Sequence, residues 1–287
     1  MGGDAHRRRQ LARQISPSSL GQPDYNEAAR GWDRLEFLIR PVAEAIVERL
    51  PDPAPGAFVL DLGCGTGEPG LTVRTRHPAV RLLGVDRADL MVEIARAKAR
   101  SLGFDNTTFE TRLMSDTAVA SASVDLLVSR FAFLMLDHQT LDLSLAEATR
   151  VLRPGAAYSF AVWDRSELNT LITLFRSVLS GFPGGESLPD PSAINYLADP
   201  GHRADLLLRA GVTTVEEAPL SWDTRIPDRD SLVDVLEHTP FGAFFTSLEP
   251  AGRAEAVSRI IERAGTYREP DGGYRFPTTC RLFWGRR

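Results

Sequence analysis

The stretch 57–67, Ala-Phe-Val-Leu-Asp-Leu-Gly-Cys-Gly-Thr-Gly, constrains this chain more than any other. Its first half is a short apolar run of the kind that forms a buried strand. Its second half puts a glycine at every second position, Gly63, Gly65 and Gly67. A helix pattern then runs to about residue 77. A strand that ends in a glycine turn and opens a helix lets backbone approach a ligand closely, because no Cβ intervenes. The helix start adds unpaired N–H donors.

The alternation continues downstream. A second strand is expected over 80–85, with a helix over 88–102, and a third strand over 107–113. A fourth strand over 124–129 precedes a helix over 139–152, which Arg153-Pro154-Gly155 ends, and a fifth strand follows over 157–163. Apolar strands separated by helices of this length predict an α/β fold, a doubly wound parallel sheet covered on both faces. Strands over 212–222 and 274–284 bring the expected sheet to seven-stranded. Pro277 suits an edge or a strand start better than a central strand. Residues 25–50 read as one or two helices, kinked or divided at Pro41. Shorter helices are expected over 204–210, 231–236 and 254–264, with 164–180 helical and 181–200 a surface excursion. Residues 1–22 read as a flexible tail, broken by Ser16-Pro17-Ser18-Ser19 and Gly21. The domain is expected over 23–287, with cap segments at about 164–200 and 225–270.

The second strand ends in Gly84-Val85-Asp86. An acid there, roughly 20 residues past the glycines, accepts both hydroxyls of a ribose or caps the next helix. The glycine loop upstream favours ribose.

Asp-Leu-Gly-Cys-Gly-Thr-Gly resembles the first motif of class I S-adenosylmethionine (SAM)-dependent methyltransferases. It departs from the dinucleotide pattern G-x-G-x-x-G, because Glu68 and Pro69 follow Gly67. Gly-Val-Asp at 84–86 resembles that family's ribose acid. Ser123-Val124-Asp125-Leu126-Leu127-Val128-Ser129-Arg130 is similar to its fourth strand, and Arg150-Val151-Leu152-Arg153-Pro154-Gly155 to the turn before its fifth. The resemblance covers about 25–285 and is closest to small-molecule enzymes, among them ubiquinone and menaquinone C-methyltransferases and natural-product methyltransferases. It implies a Rossmann-like fold with helical cap insertions and SAM as cofactor. Asp61, Gly63 and Gly65 would face the methionyl part, and Asp86 the ribose, with Arg87 and Met91 along the adenosine. Arg130 and Phe131 would pass beside the methionine moiety. Trp32 would close the pocket or serve as a core aromatic. Many members carry an Asp after the third strand for the adenine amino group. Here that place falls on Leu113, with Met114 next and Asp116 the nearest acid. Met114 packing on adenine, or a slip that brings in Asp116, are the alternatives.

Methyl transfer from a sulfonium is accelerated by aligning the nucleophile and excluding water. No metal is implied. A hydroxyl or carbon acceptor calls for a general base. Of the five histidines, His138 follows the fourth strand on the acceptor side, where it is a base or a helix cap with Asp137. His238 lies in the expected cap, and Asp164 just past the fifth strand. His6, His77 and His202 have surface or tail positions. Cap aromatics (Phe175, Phe182, Tyr196, Phe241, Phe244, Phe245 and Tyr267) fill the cap core or line an apolar acceptor pocket. The reading is methyl transfer to a hydroxyl or carbon of a small apolar or aromatic, natural-product-like acceptor. A SAM-binding cyclisation enzyme and a non-catalytic SAM-binding protein are the alternatives.

A net charge of −5 argues against a nucleic-acid partner. No apolar run approaches the roughly 18 residues of a membrane span. Two distant cysteines, Cys64 and Cys280, fit a reducing cytoplasm. A monomer or homodimer is expected. Lys98 is the only lysine among 33 Lys and Arg residues.

Overall fold

In the computed structural model, which describes residues 25–134, 136–188, 196–199 and 203–287, the first strand is β1 (Phe58–Leu62). Four of its five residues are buried. Successive side chains of a strand point to opposite faces, so this burial needs cover on both. The remaining strands are β2 (Arg81–Asp86), β3 (Thr107–Thr111), β4 (Val124–Arg130), β5 (Leu152–Trp163), β6 (Thr214–Ile226) and β7 (Tyr274–Arg286). They form one seven-stranded sheet in the order β3-β2-β1-β4-β5-β7-β6. β1 to β5 pair in parallel, and β7 runs antiparallel between β5 and β6.

Helices α1 (Tyr25–Trp32) and α2 (Glu36–Glu48) open the described chain. α2 covers one face with α3 (Gly70–Arg76) and α4 (Asp89–Ser101). Val42, Ile46 and Val47 meet Val59, Leu82, Phe109 and Val128 there. α5 (His138–Val151) covers the other face, with Leu141 and Leu145 against Leu60, Leu62, Leu127 and Phe160. α6 (Thr170–Leu179) begins the cap. α7 (Arg203–Ala210) returns to the second face through Leu206 and Leu207. α8 (Arg229–His238), α9 (Gly242–Ser247) and α10 (Pro250–Ala264) pack with α6 around Ile226, Tyr274 and Phe276.

The cap rides on an extension of the sheet. β6 and β7 pair from Thr214–Arg286 to Ile226–Tyr274, whereas β5 pairs with β7 only between residues 280 and 286. Beyond that point β6 and β7 continue as a two-stranded ribbon into the cap. Pro277 sits in this ribbon near the start of β7, where β7 has β6 as its one neighbour, as expected of a proline at an edge or a strand start, although β7 is internal from Cys280 onward. Its carbonyl accepts the Thr170 hydroxyl on the β5 side, where β5 has already ended. A missing N–H costs no ladder bond there.

Three expectations change. The third strand stops at Thr111, because Leu113 to Asp116 forms a turn closed by the Asp116 N–H on the Leu113 carbonyl. The N-terminal helices divide at residues 33–35, where the chain makes a 3-10 turn. Pro41 lies inside α2. Helix α9 carries no clear periodicity and was not expected. The tail 1–22, His202 and part of the 181–200 excursion lie outside the described residues. Among those described, no helix is long and apolar enough to cross a membrane.

Close packing between β2 and β3 tests the core. A Cβ on Gly84 would lie 2.4 Å from Cδ1 of Phe109, which is fully buried. Gly84→Ala should therefore destabilise the fold by about 1–3 kcal/mol, as overpacking does. A thermal melt that shows an unchanged midpoint would contradict this packing.

Candidate active site

The glycine loop leaves β1 and is held from both ends. The N–H groups of Gly63 and Cys64 both donate to the Val85 carbonyl at the end of β2 (2.8 and 3.0 Å). Gly63 and Gly65 have φ of +66° and +50°, the left-handed region that glycine adopts without strain. A Cβ on Gly63 would strike Cβ of Ala132 at 2.2 Å, and would lie 3.2 Å from Sδ of Met114. A Cβ on Gly65 meets nothing within 4 Å. Gly63 is thus required by packing, while Gly65 borders open space.

Two carboxylates support this loop. Asp61 is fully buried, and its Oδ2 accepts the Gly70 N–H (2.9 Å). Among the described residues its Oδ1 has no hydrogen-bond partner. Burial pushes the Asp61 carboxyl well above the usual carboxylate range, against the Gly70 N–H and the Arg130 charge. Asp86 Oδ2 accepts the Gly65 N–H and its Oδ1 accepts the Ala88 N–H, both at 2.9 Å. Burial also raises the Asp86 carboxyl, and the two N–H bonds partly offset it. Asp86 therefore buttresses the loop and the start of the next helix together. Each oxygen spends one acceptor site, which leaves capacity for hydroxyls.

These features fit the cofactor that the sequence implies. Asp61 Oδ1 is an orphaned anionic acceptor suited to an ammonium group. Asp86 stands at the adjacent strand end, suited to a ribose. Gly65 presents backbone to the space between. Met114 lies over the start of the loop. Arg87 stacks on Tyr25 of α1, 4.8 Å from the ring centroid. Met91 is buried with Ala29 and Ala88, and Trp32 packs against that cluster. Trp32 and Met91 thus join α1 to α4 beside Asp86.

Arg130, at the end of β4, makes a bidentate pair with Glu36 of α2 (2.7 and 2.7 Å). Phe131 follows with φ +59°, and its ring stacks on Trp163 at 4.1 Å. Trp163 in turn faces Trp222 at 6.2 Å, and Trp222 Nε1 donates to the Leu38 carbonyl.

The three candidate bases each have a local partner. His138 is exposed at the first turn of α5, beside Asp137, whose carboxylate accepts the Thr140 N–H (2.6 Å). His238 ends α8, with Nδ1 2.7 Å from the Asp234 carbonyl. Its ring packs where a Cβ on Gly31 would stand. Asp164 is buried. Its Oδ2 accepts Nε and Nη2 of Arg281 (3.1 and 2.8 Å), and its Oδ1 accepts the Arg165 N–H. Phe175, Phe182, Phe241 and Phe245 are buried in the cap's own core. Phe131 and Trp163 stand at the ends of β4 and β5, with Trp222 of β6 beside Trp163. Sequence reasoning also missed Asp33, Glu36, Thr66, Glu68 and Lys98. Only Lys98 carried a signal, as the single lysine.

A methyltransferase domain is matched over residues 59–155. The chain is 30% identical over 281 residues to a malonyl-[acyl-carrier protein] O-methyltransferase of Geobacter sulfurreducens, covering 91% of this chain and 95% of that protein. It is 29% identical over 253 residues to a trans-aconitate 2-methyltransferase of Methylobacterium radiotolerans, covering 85% and 91%. Among solved structures, the YcgJ protein from Bacillus subtilis superposes with a TM-score of 0.58 at 16% identity, covering 85% of this chain and 98% of that one.

The raised carboxyls give a signed expectation. If the ionised forms of Asp61 and Asp86 hold SAM, affinity is full above their raised values and falls as pH drops through them. Calorimetric titration from neutral to acid pH should show this loss beginning above the ordinary carboxylate range. Asp86→Asn should weaken SAM binding about tenfold or more, because charge-assisted bonds are lost. A folded Asp86→Asn protein with wild-type affinity would remove Asp86 from the site.

Proposed function

Because the chain belongs to the class I SAM-dependent methyltransferases, we propose that it methylates a carboxylate oxygen of a small acceptor with an apolar or aromatic body. The observation that carries this reading is the commitment of the buried carboxylate that follows β5. Asp164, just past β5, is buried and bound by Arg281 on one oxygen and by the Arg165 N–H on the other. His138 stands exposed and His238 is engaged through Nδ1. A hydroxyl or carbon nucleophile would need a base to take its proton. A carboxylate is already ionised at neutral pH and needs none. The names of the two relatives point the same way, to the acids trans-aconitate and malonyl-acyl-carrier protein. The apolar body of the acceptor would lie against Phe131, Trp163 and Trp222.

The cofactor supplies a methyl group on a positively charged sulfur. The chain contributes alignment and exclusion of water. Asp61 Oδ1 would hold the ammonium of the methionyl part, and Asp86 the ribose hydroxyls. Met114 and the loop backbone at Gly63 and Gly65 would border the cofactor between them. Arg130 is fixed by Glu36 beside the same loop, where its charge acts on Asp61 and Glu68. The cap closes the acceptor side.

The test is the bond that holds the transferred methyl. With methyl-labelled SAM and a panel of carboxylic acids, hydroxyl compounds and acidic carbons, the labelled product should release methanol in mild alkali, as an ester does. Label that survives alkali as an ether or a C-methyl would overturn the carboxylate reading and return the hydroxyl or carbon acceptor.

Asp164→Ala separates the two roles open to that residue. It removes the closer of two carboxylates that face a largely buried Arg281, the other being Glu217 at 3.6 Å, so stability should fall by about 1–3 kcal/mol, while turnover below the melting range stays within a few fold. A loss of roughly 10²-fold in kcat at an unchanged melting temperature would make Asp164 the base.

A further inference from the structure

Lys98 closes a small hydrogen-bonded triangle among three separate parts of the chain. Its Nζ donates to Asp33 Oδ1 (2.6 Å) and to Thr66 Oγ1 (3.0 Å), and the Thr66 hydroxyl donates to the same Asp33 oxygen (2.7 Å). Asp33 lies in the turn between α1 and α2, Thr66 in the glycine loop, and Lys98 on α4. Thr66 stands between Gly65 and Gly67, and its side chain is buried. Fixing its hydroxyl anchors the loop at the residue between the two glycines. Glycine supplies no rigidity of its own there. An ammonium group can aim two of its donors at two adjacent oxygens, whereas a guanidinium holds its donors in a rigid plane. In a chain whose other basic side chains of this type are all arginine, this is the one place that uses the ammonium.

The same turn reaches further. Arg34 pairs with Asp234 of α8 at 3.1 Å, and Glu36 holds Arg130. Residues 33–36 thus bind the glycine loop, the end of β4 and the cap at once.

We propose that Lys98 is a positioning residue for SAM, acting through Asp33 and Thr66 to clamp the 25–38 strap onto the glycine loop. The exposure of the pair separates this from a purely structural role. The side chains of Lys98 and Asp33 are 31% and 44% exposed, and exposed pairs of this kind add little to global stability. The effect therefore appears in the loop that the pair restrains. By linkage, a clamp that favours SAM is favoured by SAM to the same factor.

The inference rests on SAM being the cofactor, so calorimetry of the wild-type chain with SAM comes first. Absence of binding there would overturn that reading, and this proposal with it. Given binding, Lys98→Met should raise the Kd and KM for SAM by about fivefold. Its kcat at saturating SAM and its melting temperature without SAM should stay near wild type, and Lys98→Arg should restore only part of the affinity. Because the chain has a single lysine, acetic anhydride provides an arm that needs no mutant. Acetylation of Lys98, read by mass spectrometry against the α-amino group, should slow several-fold when SAM is saturating. Unchanged SAM affinity in Lys98→Met, a fall in melting temperature with no change in KM, or acetylation of Lys98 indifferent to SAM would each overturn the proposal. If Lys98→Met does not fold, the acetylation arm on the wild-type chain decides.

Discussion

Two carboxylates at the ends of adjacent parallel strands, Asp61 buried and Asp86 half-buried, hold the glycine loop in place. Asp61 on β1 accepts the Gly70 N–H, and Asp86 on β2 accepts that of Gly65. Both are raised above the ordinary range because burial penalises their charge more than these bonds relieve it. An acid whose folded value lies above its unfolded one stabilises the fold only at low pH, and that contribution is lost as pH rises through the folded value. At neutrality both groups therefore work against folding. The sheet tolerates them because its two apolar faces carry the stability. Their placement makes sense as preparation for a ligand: one acceptor out of water with an oxygen to spare, the other half-buried beside it.

The loop alone does not make a site. The strap of residues 25–38 crosses the strand ends and touches each side of them. It meets Arg87 and the Leu90 N–H through Tyr25 and Asn26, the loop through Asp33, β4 through Glu36, β6 through the Leu38 carbonyl, and α8 through Gly31 and Arg34. Among these the Glu36–Arg130 pair is the least exposed to water, with the Arg130 side chain only 4% exposed. Losing either partner would strand a buried charge, which costs more than the pair contributes when intact. The strap thus links the glycine loop to α8.

What could be read beforehand followed from repetition and from backbone chemistry. Apolar strands at regular spacing gave the sheet. The glycines and the strand-end acids gave the loop, because a loop that approaches a ligand with its backbone leaves its mark in the missing side chains. The strap's contacts were not legible, since they join residues such as Arg34 and Asp234, or Glu36 and Arg130, that are far apart in sequence and belong to no local pattern. Pro277 shows the reach of a local signal. Its edge-strand signal was locally correct, because β5 ends before reaching it, yet the strand itself is internal. The cap by Asp137 was legible beside His138, because it is local, whereas position after a strand does not reveal that Arg281 waits for Asp164 across the sheet.

The junction at the end of β4 shows how one local strain serves two sides. Phe131 is a non-glycine residue in the left-handed region, at a cost of about 1–3 kcal/mol. Its N–H still donates to the Ala161 carbonyl, so the chain turns without leaving β5. The turn leaves neighbouring side chains on one face. Arg130 goes to Glu36 of α2, and Phe131 stacks on Trp163 against the core that α2 covers. A regular strand would have sent them to opposite faces, with Arg130 still on the α2 side and Phe131 turned away from Trp163. The strained backbone keeps both together at the edge. Under the proposed reading, cofactor and acceptor meet there, beside the charge and the aromatic wall.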